Sequence, residues 1–226
     1  MKTTDFLKCV PLFQHLSLED RERLCKLIRT QTVKKGDILF RRGSEGNMLY
    51  IVRSGRVKIS LLSSSGDEVV LAFFSECDFF GEMALLDGLP RSADAIATEP
   101  TELNMLTRDD FLSFLNSTKN AIQAVLLSLS RRLRRTDDLL QDTCFLNISG
   151  RFAKKLVELA EMHGKVDGDA IHIHMPLTQR DLASMVGTTR ESINKELRAL
   201  REKGLVNIQE NDIVIHNMER LKRRAH

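Results

Sequence analysis

Glu82 follows Gly81, and Arg91 and Ser92 come nine and ten residues after Glu82, in a stretch otherwise made almost wholly of small and apolar residues. These residue types suit one ligand chemistry. A glycine lets the backbone come close to a ligand. A carboxylate accepts hydrogen bonds from a pair of hydroxyls, a guanidinium offers a planar fork of donors matched to phosphate, and a short hydroxyl adds a donor beside it. A ribose fused to a phosphate presents those partners. The same spacing also fits a short helix after a turn, with Glu82 and Arg91 as a partly buried ion pair.

Such groups need a rigid support. From 33 to 105 the sequence is β-rich, with runs at 37–40, 48–52, 57–61 and 68–73 separated by Gly36, Gly43, Gly46, Gly55 and the turn Ser63-Ser64-Ser65-Gly66. This predicts an antiparallel sandwich or barrel. Ala93, Ala95 and Ala97 alternate with more polar neighbours straight after Arg91, so the recognition loop is an insertion between two strands.

From Phe80-Gly81-Glu82 through the apolar run to Pro90-Arg91-Ser92-Ala93, the residue order resembles the phosphate-binding cassette of cyclic-nucleotide-binding domains. The resemblance implies that Glu82 takes the ribose 2′-hydroxyl and that Arg91 and Ser92 hold the cyclic phosphate. It also implies that the N–H groups of Met83 and Ala84, at the start of a short helix, complete the anion site.

Apolar residues make up 42% of the 226 positions, enough to bury a sizeable core. Cys9, Cys25, Cys77 and Cys144 show no CxxC spacing, and no charged-then-apolar leader is present, so a reducing cytoplasm is expected. No segment approaches the roughly 20 apolar residues of a membrane span. The net charge of +3 lies wholly in the last third, since residues 146–226 carry 14 basic and 11 acidic side chains. That points to an anionic partner there.

A helix is predicted over 17–29, with Ser17 and Asp20 at capping spacing and Leu18, Leu24, Leu27 and Ile28 on one face. A longer one spans about 118–144. There Ile122, Leu126, Leu129, Leu133, Thr136 and Leu140 recur at alternating intervals of four and three, a heptad seam flanked by Arg131, Arg132, Arg134 and Arg135. A symmetric homodimer through Ile122, Leu126, Leu129, Leu133 and Leu140 is the simplest partner; an amphipathic helix lying on its own domain is the alternative.

Arg131-Arg132-Leu133-Arg134-Arg135-Thr136 resembles a run in the cyclic-AMP receptor protein family, to which the chain is similar over nearly its whole length. In that family a threonine and then a serine contact the adenine from both subunits. The resemblance implies Thr136 and Asp137 as base contacts. Asp137 replaces the serine, and a carboxylate can accept from the adenine amino group or from guanine N1 and N2.

After a hinge expected at Asn147-Ile148-Ser149-Gly150 come an amphipathic helix at 151–162 and a strand at 169–175. His172 and His174 share a face of that strand, but no third ligand is evident, so no metal site is expected. Residues 177–197 read as two capped helices around Gly187, with Thr178 and Asp181 capping the first and Thr188 and Glu191 the second. This is a helix-turn-helix, with Ala183 at the crossing and Leu182, Val186, Ile193 and Leu197 as the apolar contacts. Thr189-Arg190-Glu191-Ser192-x-x-Lys195 resembles the family's recognition helix. The likeness implies Arg190, Glu191 and Lys195 as base readers, with lysine in place of an arginine. Thr188 and Thr189 lie at the same helix end, and Thr178, Gln179 and Arg180 are placed for phosphate contact. Residues 204–208 and 213–215 complete a wing hairpin.

The expected fold is α+β: a jelly-roll-like antiparallel β-barrel sensor (1–117), a dimerisation helix (118–146) and a winged helix-turn-helix (147–226). The resemblance to the CRP/FNR family implies a cytoplasmic, bacterial, homodimeric transcription regulator. It would bind a cyclic nucleotide, cyclic AMP favoured and cyclic GMP the alternative, and a palindromic site on double-stranded DNA. RNA polymerase is the further expected partner; no membrane, metal or covalent cofactor is expected. The same regulator sensing a different effector is the alternative: another small anion, or redox or haem sensing, for which only isolated Cys9, Cys25 and His15 are present. A nucleotide-binding subunit without DNA binding is the remaining alternative. No nucleophile elbow, Walker loop or zinc motif suggests an enzyme.

Overall fold

The computed structural model describes residues 3–14, 16–64, 66, 68–118, 121–168, 170–174, 177–209 and 212–225. His15, Ser65, Asp169 and Met175, which figure in the expectations above, lie outside the described residues. In chain order the elements are α1 (Thr3–Phe6), α2 (Leu18–Leu27), β1 (Arg29–Val33), β2 (Ile38–Phe40), β3 (Met48–Ser54), β4 (Val57–Leu62), β5 (Glu68–Phe74), β6 (Phe79–Phe80), α3 (Glu82–Asp87), β7 (Asp94–Ala97) and β8 (Thr101–Thr107). They continue as α4 (Arg108–Ser117), α5 (Ala121–Phe145), α6 (Ile148–His163), β9 (Gly164–Asp167), β10 (Ala170–His174), α7 (Gln179–Val186), α8 (Arg190–Glu202), β11 (Val206–Gln209), β12 (Asp212–Ile215) and α9 (Met218–Lys222). The chain divides into two compact units, residues 1–61 with 71–134, and residues 62–70 with 135–226.

Strands β1 to β8 form two four-stranded sheets, ordered β1-β8-β3-β6 and β2-β7-β4-β5. Among the described residues no pairing closes them into a continuous barrel; the arrangement is a sandwich. The continuous apolar run of β3 follows from burial on both faces. Leu49 and Ile51 pack with the helices, while Tyr50 and Val52 pack with Val57, Phe74, Phe80 and Leu103 between the sheets. The adjacent Phe79 and Phe80 divide between the two clusters in the same way.

Ser17 caps α2 as expected, its hydroxyl accepting from the Asp20 N–H at 3.1 Å. The predicted apolar face of α2 is only partly used, because Leu24 is buried while Leu18 and Leu27 are exposed. The space is filled by the preceding segment, in which Phe6, Leu7, Val10, Leu12, Phe13 and Leu16 are all buried. α4 is a helix beyond those predicted, although its signal is present in the sequence: Thr107 accepts from the Asp110 N–H, and Phe111, Phe114 and Leu115 form the buried face.

A larger correction concerns the cysteines. Cys9 and Cys77, separated by 68 positions, form a disulfide, with their Cα atoms 5.5 Å apart; Cys25 and Cys144 are free. Spacing could not reveal the pairing, which arises because the N-terminal segment and the turn before β6 cover the same core.

In the second unit α6 begins at Ile148, with Asn147 as its N-cap accepting from the Gly150 N–H. The expected hinge at 147–150 is therefore a capped first helical turn, and only Leu146 and Asn147 stand outside helix. A four-stranded sheet, ordered β11-β12-β10-β9, adds β9 to the expected strand and wing. Leu182, Val186, Ile193 and Leu197 share one core with Phe152, Leu156 and Ile213. Thr178 and Asp181 make a full capping box on α7, and Gly187 closes that helix in the left-handed conformation at φ 69°. The cap of α8 is Thr189, which accepts from the Ser192 N–H, and not Thr188. The reason is local: the Thr188 N–H donates back to the Ala183 carbonyl, so Thr188 belongs to the end of α7.

Candidate functional site

The cassette is short strand, glycine, short helix and loop. Gly81, at φ 85°, turns the chain from β6 into α3 without a side-chain cap, so the first-turn N–H groups receive no acceptor from the N-cap residue. Glu82 and Ala84 are buried, while Met83 and Ser92 are exposed, with the Ser92 hydroxyl 3.8 Å from the Met83 sulfur.

Arg91 is 4% exposed. Its Nη1 donates to the Gly81 carbonyl at 2.7 Å and its Nη2 to the Met48 carbonyl at 2.8 Å, while Nε is buried without a partner. The guanidinium carbon lies 4.2 Å from the Phe40 ring centre and 5.7 Å from that of Tyr50. Burial pushes the Arg91 pKa down, opposed by Tyr50 and Glu82; burial in turn pushes the Tyr50 phenol up, opposed by Arg91. Two glycines leave room for Arg91. A Cβ on Gly46 would lie 2.9 Å from Nε, and one on Gly81 2.6 Å from Nη1.

The suggested Glu82–Arg91 ion pair does not form. Glu82, 1% exposed, pairs instead through Oε1 with Nη1 of Arg132 on α5, and its Oε2 is buried without a partner. Arg132 also donates to the Phe79 carbonyl and stacks 4.7 Å from the Phe74 ring centre. In the sequence Arg132 is a flank of the seam, and its position one residue before Leu133 carries no signal of this contact.

On α5, Ile122, Leu126, Leu133 and Leu140 are exposed, and Leu129 is half-buried. Thr136 and Asp137 are exposed on the same helix.

In the helix-turn-helix, Arg190, Glu191 and Lys195 are exposed on α8. Thr189 is exposed but its hydroxyl serves the cap, and Thr188 is half-buried. Gln179 and Arg180 are exposed at the start of α7. The hydroxyl of Thr178 is engaged by Asp181, accepting from its N–H and donating to its carboxylate.

Residues 30–118 match the cyclic nucleotide-binding domain model, and residues 150–224 match the Crp-like helix-turn-helix domain model. A Mycobacterium tuberculosis protein described as a CRP-like cAMP-activated global transcriptional regulator is 33% identical over 95% of this chain and 96% of its own length. The Thermus thermophilus cyclic AMP receptor protein is 32% identical over 89% of this chain and 90% of its own. Among solved structures, the c-di-GMP responsive global regulator CLP of Xanthomonas campestris superposes with a TM-score of 0.79 at 22% identity, covering 89% of this chain and 100% of that one. Matched in both halves and along nearly its whole length, the chain belongs to the CRP/FNR family: it is a DNA-binding transcription regulator carrying a cyclic nucleotide-binding domain.

Proposed function

We propose that the effector is a cyclic nucleotide, cyclic AMP in preference to cyclic GMP, bound by the cassette and transmitted to the helix-turn-helix of a homodimer. The observation that carries this reading is Arg91, a buried cation held by two carbonyls through Nη1 and Nη2, with Nε left without a partner. A desolvated guanidinium without a bonded carboxylate is a ready donor to a phosphate, whose oxygens accept. Ser92 and the uncapped N–H groups of Met83 and Ala84 would share that phosphate, and the unpartnered Oε2 of Glu82 would take the ribose hydroxyl. Thr136 and Asp137 are assigned to the base on the family resemblance.

The sensor is taken as 1–117, the dimerisation helix as 118–146 and the DNA-binding domain as 147–226. The exposed leucines of α5 suit a second copy of the chain, giving two recognition helices for major grooves about 34 Å apart. Arg190, Glu191 and Lys195 would read bases, while Gln179 and Arg180, with the backbone at Thr178, would hold phosphates. RNA polymerase is the proposed protein partner and the cytoplasm the proposed setting, in which the Cys9–Cys77 bond is subject to reduction; among the described residues no helix is long and apolar enough to cross a membrane.

Calorimetric titration of the native protein and Arg91→Ala with cyclic AMP and cyclic GMP tests the cassette. Affinity should fall at least a hundredfold in the variant while the folded circular-dichroism spectrum is kept. Unchanged affinity would sink this reading.

A further inference from the structure

His172 and His174 stand two residues apart on β10 and so share a face of the second unit's sheet. In the β10–β12 register Asp212 is directly across from His174 and two residues from the partner of His172, which puts the three side chains together. Sequence spacing hid this third residue, 40 positions beyond His172.

Nδ1 of His172 lies 2.8 Å from Asp212 Oδ2, and Nδ1 of His174 lies 3.3 Å from Oδ1. One potential ligand atom from each residue falls within 4.8 Å of the others. With metal bonds of about 2.0–2.1 Å, the ligating atoms of a tetrahedral zinc site stand roughly 3.3 Å apart, so modest side-chain rotations suffice. Oδ1 is also buried without a hydrogen bond; its contact with His174 has the length of an ion pair but not the geometry of a hydrogen bond. A carboxylate oxygen in that condition is poised for a cation.

We propose that His172, His174 and Asp212 form a binding site for a divalent first-row transition ion of the zinc type, built into the wing sheet. Two imidazoles and one carboxylate are a known three-ligand set for such ions, with a further position left for water. The side chains of His172 and His174 are 27% and 61% exposed, which gives the ion and its water access. Lys165, across from His172 on β9, is exposed, so its charge is screened by solvent. The bound ion ties β10 to β12, which also carries β11 of the wing. Its binding does not depend on the identity of the effector.

The test uses the full chain without an affinity tag, stripped with chelator, then titrated with Zn²⁺ by calorimetry and with Co²⁺ by visible absorption. Expected are one ion per chain, a rise in Tm with Zn²⁺, and at least a tenfold loss of affinity in both His174→Gln and Asp212→Asn. His216→Gln, at an exposed histidine just beyond β12, should bind as the native protein does. Circular dichroism checks that each variant is folded. Absence of binding, or binding unchanged in both site variants, would overturn the proposal and leave a hydrogen-bonded His–Asp cluster.

Discussion

Arg91 keeps its charge in a nearly closed environment because two carbonyls and two aromatic faces stand in for water, and that environment has little spare volume. Adding a methyl group at Gly46 presses on the Ala84 Cβ and the guanidinium, and at Gly81, also strained by its positive φ, on the guanidinium, whereas at Gly43 nothing lies within 4 Å of the added carbon. Gly46→Ala and Gly81→Ala should therefore weaken cyclic-nucleotide binding at least tenfold in calorimetry. Gly43→Ala, strained only by its positive φ, should cost about 1 kcal/mol of stability and leave affinity unchanged. Arg132→Ala strips the buried Glu82 of its ion-pair partner and should cost about 1–3 kcal/mol in urea unfolding. Tyr50 is the chain's single tyrosine, and there is no tryptophan, so absorbance at alkaline pH reports it alone. Its titration should lie above the ordinary value of about 10. A raised phenol pKa stabilises the fold below the unfolded value, and that contribution is lost as pH climbs through the folded one.

At the scale of elements, the turn between α7 and α8 separates two threonines with different duties. Thr189→Ala removes the α8 cap and should cost about 1 kcal/mol, while Thr188→Ala should be nearly neutral because only its backbone N–H is used there. Urea unfolding of the two variants checks this directly. α5 behaves differently. Its buried contacts are near its start, at Ala121 and Val125, and Leu126, Leu133 and Leu140 stand in solvent in the single chain. Leu133→Asp places a charge in the proposed seam and should shift the native dimer towards monomer in sedimentation analysis; an unaltered mass would count against the seam.

For the molecule as a whole, the Cys9–Cys77 bond fastens the N-terminal segment to the sensor across 68 positions. A loop of that length lowers the entropy of the unfolded chain by the equivalent of about 4 kcal/mol in the chain-entropy treatment. Reduction, or Cys77→Ser, should then lower Tm by about 10 °C in a thermal scan. The excess positive charge in residues 146–226 bears on DNA affinity. Phosphate contacts release counterions, so binding should weaken steeply between low and moderate salt. A gel shift repeated across salt concentrations measures that slope.

Local patterns were enough to reveal the strand-rich sensor, the glycine-led cassette, the heptad stripe and the capped helix pair, because each depends on residues within a few positions of one another. Ser17, Thr178 and Gly187 do what their spacing predicts. Partners distant in the chain were decided only by tertiary structure: Arg132 on Glu82, Cys9 on Cys77, and Asp212 beside His172 and His174. The physical reason is the same in each case. A side chain's type limits the partners it can satisfy, but the folding of sheets and helices determines which of those partners comes within reach.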